Sequence, residues 1–271
     1  MSLFSALKAA VPRSVKDALK GALRGRVRVE DRLCAVRGLS ITIGVSSVTE
    51  KYRADTYESK EPETLDWLDA NLRDGDVLYD IGANIGVYTL YAAKRKSGCR
   101  VYAFEPAGQN FARLLRNVSI NRLNNVIPCN IPLSDAQAFA LFFVSDLEAG
   151  SAFHNLGAEN AGKRSAGPSL RQGALAISVD ALVADFGLPA PTLIKLDVDG
   201  LEDKIVAGAF KVLRSPSLRG VLVEASRGAG GTAPAVEAAL ASAGFKLTAS
   251  GPEIVSADGS HGANLIYSRL C

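Results

Sequence analysis

The sequence predicts an α/β fold in which a mainly parallel β-sheet is covered by helices on both faces. Three observations support this prediction. From residue 77 onward, short apolar segments alternate with segments of helical periodicity, which is the pattern of parallel strands joined by crossover helices. Polar residues follow the ends of several of the apolar segments. The 271 residues are 48% hydrophobic, which is sufficient for one large core.

The first 55 residues are predicted to form a small extension before the main domain. Residues 2–24 carry an approximate helical stripe of apolar side chains opposite a basic face, interrupted at Pro12. Residues 1–28 contain seven basic side chains and one acid, Asp17, so this +6 segment leaves −3 for the rest of a +3 chain. Three interpretations remain open: a helix packed on its own domain or on a second subunit, a helix that contacts an anionic membrane, or disorder.

Residues 26–50 alternate and are rich in Val and Ile, which predicts two or three short antiparallel strands. The segment EPETLDWLDANLRDGD (61–76) follows in the main domain, residues 56–271, and predicts a helix that ends at Asp74-Gly75. The remaining elements are predicted, in chain order, as strand 77–80, helix 85–95, strand 101–105, helix 109–120, strands 126–133 and 138–144, loop 147–173, helix 179–186, strand 192–197, helix 201–213, strand 220–224, helix 234–243 and a closing antiparallel pair, 245–249 and 264–269.

Composition argues against several classes of protein. A net charge of +3 is too small to indicate a nucleic-acid-binding domain. The four cysteines form no CxxC pair, which argues against a zinc site or a disulfide framework and favours reduced thiols. No apolar run approaches the roughly 18 residues of a membrane span, and the basic start lacks the apolar core of a signal peptide. We therefore expect a cytoplasmic protein, with peripheral contact at the inner membrane face through residues 1–24 as the further expectation.

The segment DVLYDIGANIGVYTL (76–90) predicts a strand, a tight glycine turn and a helix, the parts of a nucleotide-binding corner. The dinucleotide fingerprint G-x-G-x-x-G fails, because Asn84 and Val87 occupy the second and third glycine positions. The pattern present is D-x-G-x-N-x-G, from Asp80 to Gly86. An acid at this position repels a diphosphate but attracts a cationic, phosphate-free adenosine ligand. S-adenosylmethionine has these properties, and Gly82 leaves room for its close approach.

Acidic residues also stand at neighbouring strand ends. Glu105 lies 23 residues after Gly82, where a carboxylate accepts hydrogen bonds from ribose hydroxyls. Asp197 and Glu224 end two later strands, and Asp197 is expected to lie near the cationic centre. The pair Ser134-Asp135 has two open interpretations, a contact with the adenine amino group or a simple turn.

These residues belong to segments that together resemble the FkbM-type family of S-adenosylmethionine-dependent methyltransferases. The resemblance covers roughly residues 60–225, and Asp199 departs from it because the family usually has Glu there. The segments that carry it are YDIGANIGVYTLYAA (79–93), VYAFEPAGQNFARLLRNVSIN (101–121), LSD (133–135), SVDAL (178–182) and LIKLDVDGLEDKIVAGA (193–209).

The resemblance implies a class I methyltransferase fold, Rossmann-like, with a seven-stranded sheet whose last strand is antiparallel. It implies methyl transfer to oxygen on sugars, glycans or specialised metabolites, so the expected partner is a small molecule, a sugar or a lipid-linked glycan. Glu105 would hold the ribose, and Ser134 and Asp135 would contact the adenine edge. Asp197 would lie at the active-site end of the fourth strand. The loop at the methionine side would consist of Asp80, Gly82, Asn84 and Gly86.

A hydroxyl acceptor must lose its proton, which calls for a general base. Asp197 is the first candidate for this role or for orienting the acceptor, and His154 is the second. Lys195 is expected to pair with Asp197. Asp199 and Glu202 have the spacing of a helix capping box. No metal is expected, although Asp197, Asp199 and Glu224 have the ligand type that magnesium prefers.

Three other functions compete with an O-methyltransferase. A nucleic-acid methyltransferase requires a basic catalytic domain, whereas residues 29–271 are net acidic. A catalytically silent, membrane-associated S-adenosylmethionine-binding module would be indicated by a broken cofactor corner, and the corner here is intact. A nicotinamide oxidoreductase conflicts with the failed glycine spacing. The sequence also leaves open whether the chain forms a homo-oligomer.

Overall fold

A computed structural model describes residues 29–152, 154–157, 170–227, 231–255 and 261–269. The predicted amphipathic helix over residues 2–24 lies outside these ranges, and its contacts with a membrane or a second subunit stay predictions. Within the described ranges, no helix combines the length and the apolar character needed to cross a bilayer.

The described chain begins with a hairpin of β1 (Glu30–Val36) and β2 (Leu39–Val45). Its tight turn places Arg37 and Gly38 at φ values of 46° and 82°, which suits the right-handed twist of a two-residue hairpin. Helix α1 (Val48–Asp55) follows where a third strand was one option, and α2 (Pro62–Asn71) confirms the next predicted helix. Two strands were therefore the correct choice.

The remaining elements follow in chain order. They are β3 (Val77–Ile81), α3 (Val87–Arg95), β4 (Arg100–Phe104), α4 (Gly108–Ile120), β5 (Val126–Cys129), β6 (Ala138–Val144), β7 (Asn155–Leu156), β8 (Leu170–Ala176), α5 (Val179–Ala184), β9 (Leu193–Leu196), α6 (Glu202–Ala207), a 3₁₀ turn (Val212–Arg214), β10 (Gly220–Arg227), α7 (Ala233–Ser242), β11 (Phe245–Ser250), β12 (Ile254–Val255) and β13 (His261–Arg269). Strands and helices alternate as predicted from β3 to β5 and from α5 to β11.

Seven strands form the main sheet in the order β11-β13-β10-β9-β3-β4-β5, with β12 paired beside β13. Strand β13 runs antiparallel to both of its neighbours, β10 and β11. The other neighbouring pairs are parallel. This confirms the predicted seven-stranded sheet with an antiparallel last strand. The strand order reverses between β3 and β9, which opens a crevice at their carboxyl ends.

Several predicted elements differ from those in the structure. Strand β6 has the predicted limits but joins β7 and β8 in a separate small sheet, so the loop predicted over 147–173 contains strands. The sequence LRQGALA of β8 has weak strand propensity, and pairing with β6 decides its conformation. The helix predicted over 201–213 ends early at Gly208. Strand β5 stops at Cys129, and β10 continues past Glu224 to Arg227.

The core lies on both faces of the main sheet. Along β3, Leu78 belongs to one buried cluster, whereas Tyr79 and Ile81 belong to another, as the alternation of side chains in a strand requires. The first cluster also contains Val36 and Ile41 of the N-terminal hairpin. The hairpin therefore packs against the same core as the main-domain helices.

Candidate functional site

A cavity of about 750 Å³ opens at the carboxyl ends of β3, β4 and β9, within the range of about 300–1,000 Å³ that is typical of ligand sites. The lining residues come from α1 and the segment after it, from the strand ends of the main sheet and the turns that follow them, and from β6, β7 and the segment between them, with one residue each from α4 and α6. Residues predicted to belong to the N-terminal extension thus share a wall with the main domain.

Gly82 begins the turn after β3 and lies on the cavity wall. Its φ is +81°, and a Cβ atom there would lie 1.8 Å from the carbonyl oxygen of Asp197. Glycine is therefore required by the neighbouring strand as well as by the turn. Gly86, at φ +92°, precedes α3, where a Cβ would lie 2.6 Å from Leu114 Cδ1. Gly86 is not among the residues lining the cavity, and the absence of a side chain there allows close packing against Leu114; its contact with the cofactor stays a prediction.

Asn84 and Glu105 are joined on the cavity wall. The backbone N–H of Asn84, at φ 52°, donates to Glu105 Oε2 at 2.8 Å, and the N–H of Ala107 donates to Oε1 at 2.8 Å. Burial raises the pKa of Glu105 to about 7, although these hydrogen bonds favour the ionised form. Its carboxylate is thus held in a fixed orientation where the sequence predicts ribose binding.

Asp80 lies beneath the cavity floor. It is only 1% exposed and is not among the lining residues. The Thr89 hydroxyl donates to its Oδ2, and Lys195 Nζ lies 3.6 Å from its Oδ1. The cation next to Asp80 in the structure is Lys195, and the attraction of a cationic ligand by Asp80 stays a prediction.

Asp197 lies on the cavity wall just beyond β9. Lys195 Nζ donates to its Oδ2 at 2.9 Å, which confirms the expected pairing. Burial by itself would raise the pKa of Asp197, but the ammonium groups of Lys195 and Lys60 hold it lower, at about 2. Asp197 is therefore an anion at neutral pH with little tendency to accept a proton.

Glu61, Asp197 and Glu224 bring one carboxylate oxygen each to within 4.8 Å of one another. The charges of Asp197, burial and the charge of Glu61 raise the pKa of Glu224 well above its usual range. Oxygen ligands of this kind suit magnesium, but Lys60 and Lys195 already supply positive charge beside Glu61 and Asp197. The arrangement is a carboxylate cluster with two ammonium counter-charges.

His154 and Asp199 meet on the side of the cavity formed by the small sheet. The His154 backbone N–H donates to Asp199 Oδ2 at 3.2 Å, and the Ser145 N–H donates to His154 Nδ1 at 3.2 Å. Burial lowers the pKa of His154 to about 4, so the ring is neutral at neutral pH. The predicted capping box is wrong, because α6 begins after Leu201 without a side-chain cap.

Ser134 and Asp135 are not on the cavity wall; the residues there are Ile131, Pro132 and Leu133. Ser134 Oγ donates to Asp135 Oδ1 at 3.0 Å, and the Ser134 carbonyl lies against Gly208. This geometry favours the turn interpretation of the pair. His261 is also outside the cavity, where it pairs with Glu253.

The protein-family model named methyltransferase FkbM domain matches residues 80–247, more than half of the chain. The chain belongs to the FkbM methyltransferase family. The match includes the glycine corner, Glu105, Asp197 and Glu224, and it leaves out α1 and α2.

This FkbM family member is similar to several named methyltransferases. Hexuronic acid methyltransferase AglP of Haloferax volcanii is 30% identical over 72% of this chain and 74% of its own length. 31-O-demethyl-FK506 methyltransferase FkbM of Streptomyces tacrolimicus is 31% identical over 51% of this chain and 60% of its own. The crystal structure of an FkbM methyltransferase from Methylobacillus flagellatus KT is also similar. The superposition covers 72% of this chain and 45% of the Methylobacillus chain, with 15% identity and a TM-score of 0.44.

Sequence reasoning missed several wall residues of this FkbM methyltransferase, above all Arg53 and Lys60. Both precede the strand-and-helix repeat, and no local motif marks them. Asn110 was also missed: its side chain donates to the Ser151 carbonyl at 3.1 Å and accepts from the Gly150 N–H at 2.8 Å. A polar residue on the otherwise amphipathic α4 was the available signal.

Proposed function

We propose that this protein is an S-adenosylmethionine-dependent O-methyltransferase that acts on a hydroxyl of a sugar, a glycan or a specialised metabolite. The observation that carries the proposal is the meeting of three features on one cavity wall: the Gly82–Asn84 turn, the oriented carboxylate of Glu105, and the carboxylates of Asp197 and Glu224. Family membership supports the methyl-transfer chemistry.

The residues of the cavity fit this cofactor. Its described wall carries more acids than bases: Arg53 and Lys60 face Glu105, Asp146, Asp197, Asp199 and Glu224. Such a wall favours a ligand with ammonium and sulfonium charges and disfavours a polyphosphate or a nucleic acid. Gly82 leaves the wall without a side chain at the turn. When bound, S-adenosylmethionine supplies an activated methyl group for in-line transfer to the acceptor oxygen.

The protein's own contribution is to bind, align and deprotonate the acceptor. Asp197 was the first candidate for the base, but two lysines stabilise its charge, so orienting the acceptor hydroxyl is the role that its geometry supports. Glu224 is the better proton acceptor, because the nearby negative charges of Asp197 and Glu61 increase its basicity. His154 remains part of the wall, with its Nδ1 occupied by the Ser145 N–H.

Two relatives support an oxygen acceptor. AglP is named for hexuronic acid, and the Streptomyces tacrolimicus enzyme for a demethylated hydroxyl of FK506. A sugar hydroxyl, including that of a lipid-linked glycan, and a hydroxyl of a specialised metabolite are therefore the first acceptors to examine.

Two measurements test the proposal in order. Calorimetry with S-adenosylmethionine and S-adenosylhomocysteine should give saturable binding, and its absence at millimolar ligand would refute the cofactor. Sugars, sugar acids, nucleotide sugars and phenols are then incubated with protein and S-adenosylmethionine. Mass spectrometry should detect a singly methylated product with the methyl group on oxygen. A product methylated only on nitrogen or carbon would contradict the O-methyltransferase.

Glu105→Gln is expected to weaken S-adenosylhomocysteine binding about 10- to 100-fold, because a charged acceptor of ribose hydroxyl protons is lost. In the wild type, affinity should rise from pH 6 to pH 8, since the carboxyl group with a pKa of about 7 ionises in this range. The variant should lack this pH dependence. Calorimetry at several pH values measures both effects.

Glu202→Gln is the matched control for Glu105→Gln. Burial also raises the pKa of Glu202 to about 7, and Glu202 is 2% exposed but not on the cavity wall. Glu202→Gln should therefore leave the pH profile of S-adenosylhomocysteine binding unchanged. Equal affinities in wild type and Glu105→Gln would show that Glu105 does not contact the ribose.

A further inference from the structure

Arg53 differs from the other basic groups at the cavity. Lys60 is paired with Glu61, and Lys195, below the wall, is paired with Asp197. In the described part of the chain, Arg53 lines the cavity and forms no ion pair with a carboxylate, although its charge is among those that lower the pKa of Asp197. In a wall that is otherwise rich in acids, Arg53 is therefore the place with an available positive charge.

The guanidinium group of Arg53 is held in place through one of its nitrogens. Its Nε donates to the Gly150 carbonyl at 2.8 Å, and within the described ranges the two terminal nitrogens have no hydrogen-bond partner and can contact a ligand. Two parallel N–H groups of this kind match the two oxygens of a carboxylate. The contact thus orients the side chain without using the end that would bind a ligand.

Helix α1, which carries Arg53, is anchored at its start. Ser47 and Glu50 form a capping box at the first turn. Glu50 is fully buried, and its Oε1 lies 2.8 Å from Arg113 Nη1 of α4. A buried pair of this kind fixes the helix relative to the main domain, because separating the two charges is costly. Arg53 is therefore presented from a rigid support.

Gly150 also places Arg53 beside the glycine corner. The Gly150 N–H donates to Asn110 Oδ1 at 2.8 Å, and the adjacent Ser151 carbonyl accepts from Asn84 Nδ2 at 2.8 Å. Asn84 belongs to the turn that follows β3. Arg53 and this turn are thus joined by one short segment, residues 150–151.

We propose that Arg53 is a carboxylate-binding subsite of the cavity and that its ligand is the methionine carboxylate of S-adenosylmethionine. The inference rests on the proposed function. The cofactor carries two positive centres and one carboxylate, and the acidic wall leaves Arg53 as the favourable position for that carboxylate. Its connection to the Asn84 turn favours the cofactor over the other source of this chemistry, an acidic acceptor.

The test compares S-adenosylmethionine with decarboxylated S-adenosylmethionine, which lacks only the carboxylate. Calorimetry gives both dissociation constants for the wild type and Arg53→Gln. The penalty for removing the carboxylate, expressed as the ratio of the two constants, should be about 10- to 100-fold larger in the wild type than in the variant. Arg53→Lys should retain part of the ratio, because it keeps the charge but not the paired donors.

Lys51→Gln is the matched control, since Lys51 is an exposed cation on the same helix that pairs with Asp55 and is not on the cavity wall. It should keep the wild-type ratio, and a thermal melt verifies that each variant is folded. If the wild type binds neither ligand, the proposed function fails and this inference fails with it. If the wild type binds and Arg53→Gln leaves the ratio unchanged, the methionine carboxylate is not the ligand of Arg53.

A second titration then distinguishes the cofactor carboxylate from the carboxylate of an acidic acceptor as the ligand of Arg53. Glucuronate and glucose are titrated into protein saturated with S-adenosylhomocysteine. Binding of glucuronate but not glucose, weakened about tenfold or more by Arg53→Gln, would assign the subsite to an acidic acceptor and overturn the cofactor assignment. No effect of Arg53→Gln in either titration would overturn the carboxylate subsite itself.

Discussion

Glu224→Gln is expected to lower kcat about 100- to 10,000-fold, the usual contribution of a positioned general base. The amide keeps the shape of the side chain but cannot take up the proton of the hydroxyl that is methylated. Binding of S-adenosylhomocysteine should change little, because the predicted cofactor contacts lie at the Gly82–Asn84 turn and Glu105. Steady-state rates on the hydroxyl acceptor found by mass spectrometry, together with calorimetry, measure the two effects.

The pH profile provides a more specific result. Since the base must be ionised, the wild-type rate should rise with pH through the raised pKa of Glu224, and this rise should disappear in Glu224→Gln. Glu202→Gln should retain both the rate and the profile. A Glu224→Gln enzyme with wild-type kcat would exclude Glu224 as the proton acceptor.

Lys195→Met is expected to lower the free energy of unfolding by about 3–5 kcal/mol, the usual cost of removing one partner from a buried ionic group. Lys195 is 2% exposed and lies 2.9 Å from Asp197 and 3.6 Å from Asp80. Methionine fills a similar volume but leaves both carboxylates without their shared ammonium. Urea unfolding monitored by circular dichroism at pH 7 measures the loss.

The loss should shrink as the pH falls from 7 towards 4. In the wild type, the lowered pKa of Asp197, about 2, means that its stabilising contribution is complete above its unfolded value of 3.8 and is lost as the pH falls through about 2. In the variant, Asp197 lacks the ammonium of Lys195 that lowers its pKa, so it takes up a proton at higher pH and loses its unpaired charge. Lys204→Met, an exposed lysine on α6, should change stability by less than about 0.5 kcal/mol. A similar small change for Lys195→Met would contradict the ionic network.

Much of the main domain could be predicted because local signals were sufficient. The alternation of apolar runs and helical stripes is a property of adjacent residues, and it indicated the β3–α3–β4–α4 series and the closing antiparallel pair. The same holds for Gly82 and Asn84, whose positive φ values belong to a tight turn. Glu105 directly follows β4, so its place on the cavity wall was a consequence of strand order.

The errors have a common origin in contacts between distant residues. The β8 strand forms because β6 pairs with it, although LRQGALA has weak strand propensity. The burial of Asp80 beside Lys195 of the adjacent β9 was likewise not visible from the local sequence. The capping box expected at Asp199 is replaced by a contact with the His154 backbone.

By itself, the sequence determined the α/β class, the glycine corner and the acidic strand ends, because these depend on residue type and short spacing. The tertiary structure decided what each acid does. Asp197 is held ionised by two lysines, whereas Glu224, crowded by Asp197 and Glu61, is made basic. The tertiary structure also places Arg53, from the N-terminal part of the chain, at the cavity through its contact with Gly150. Charge interactions depend on distance in space and on burial, and neither quantity is encoded in local sequence.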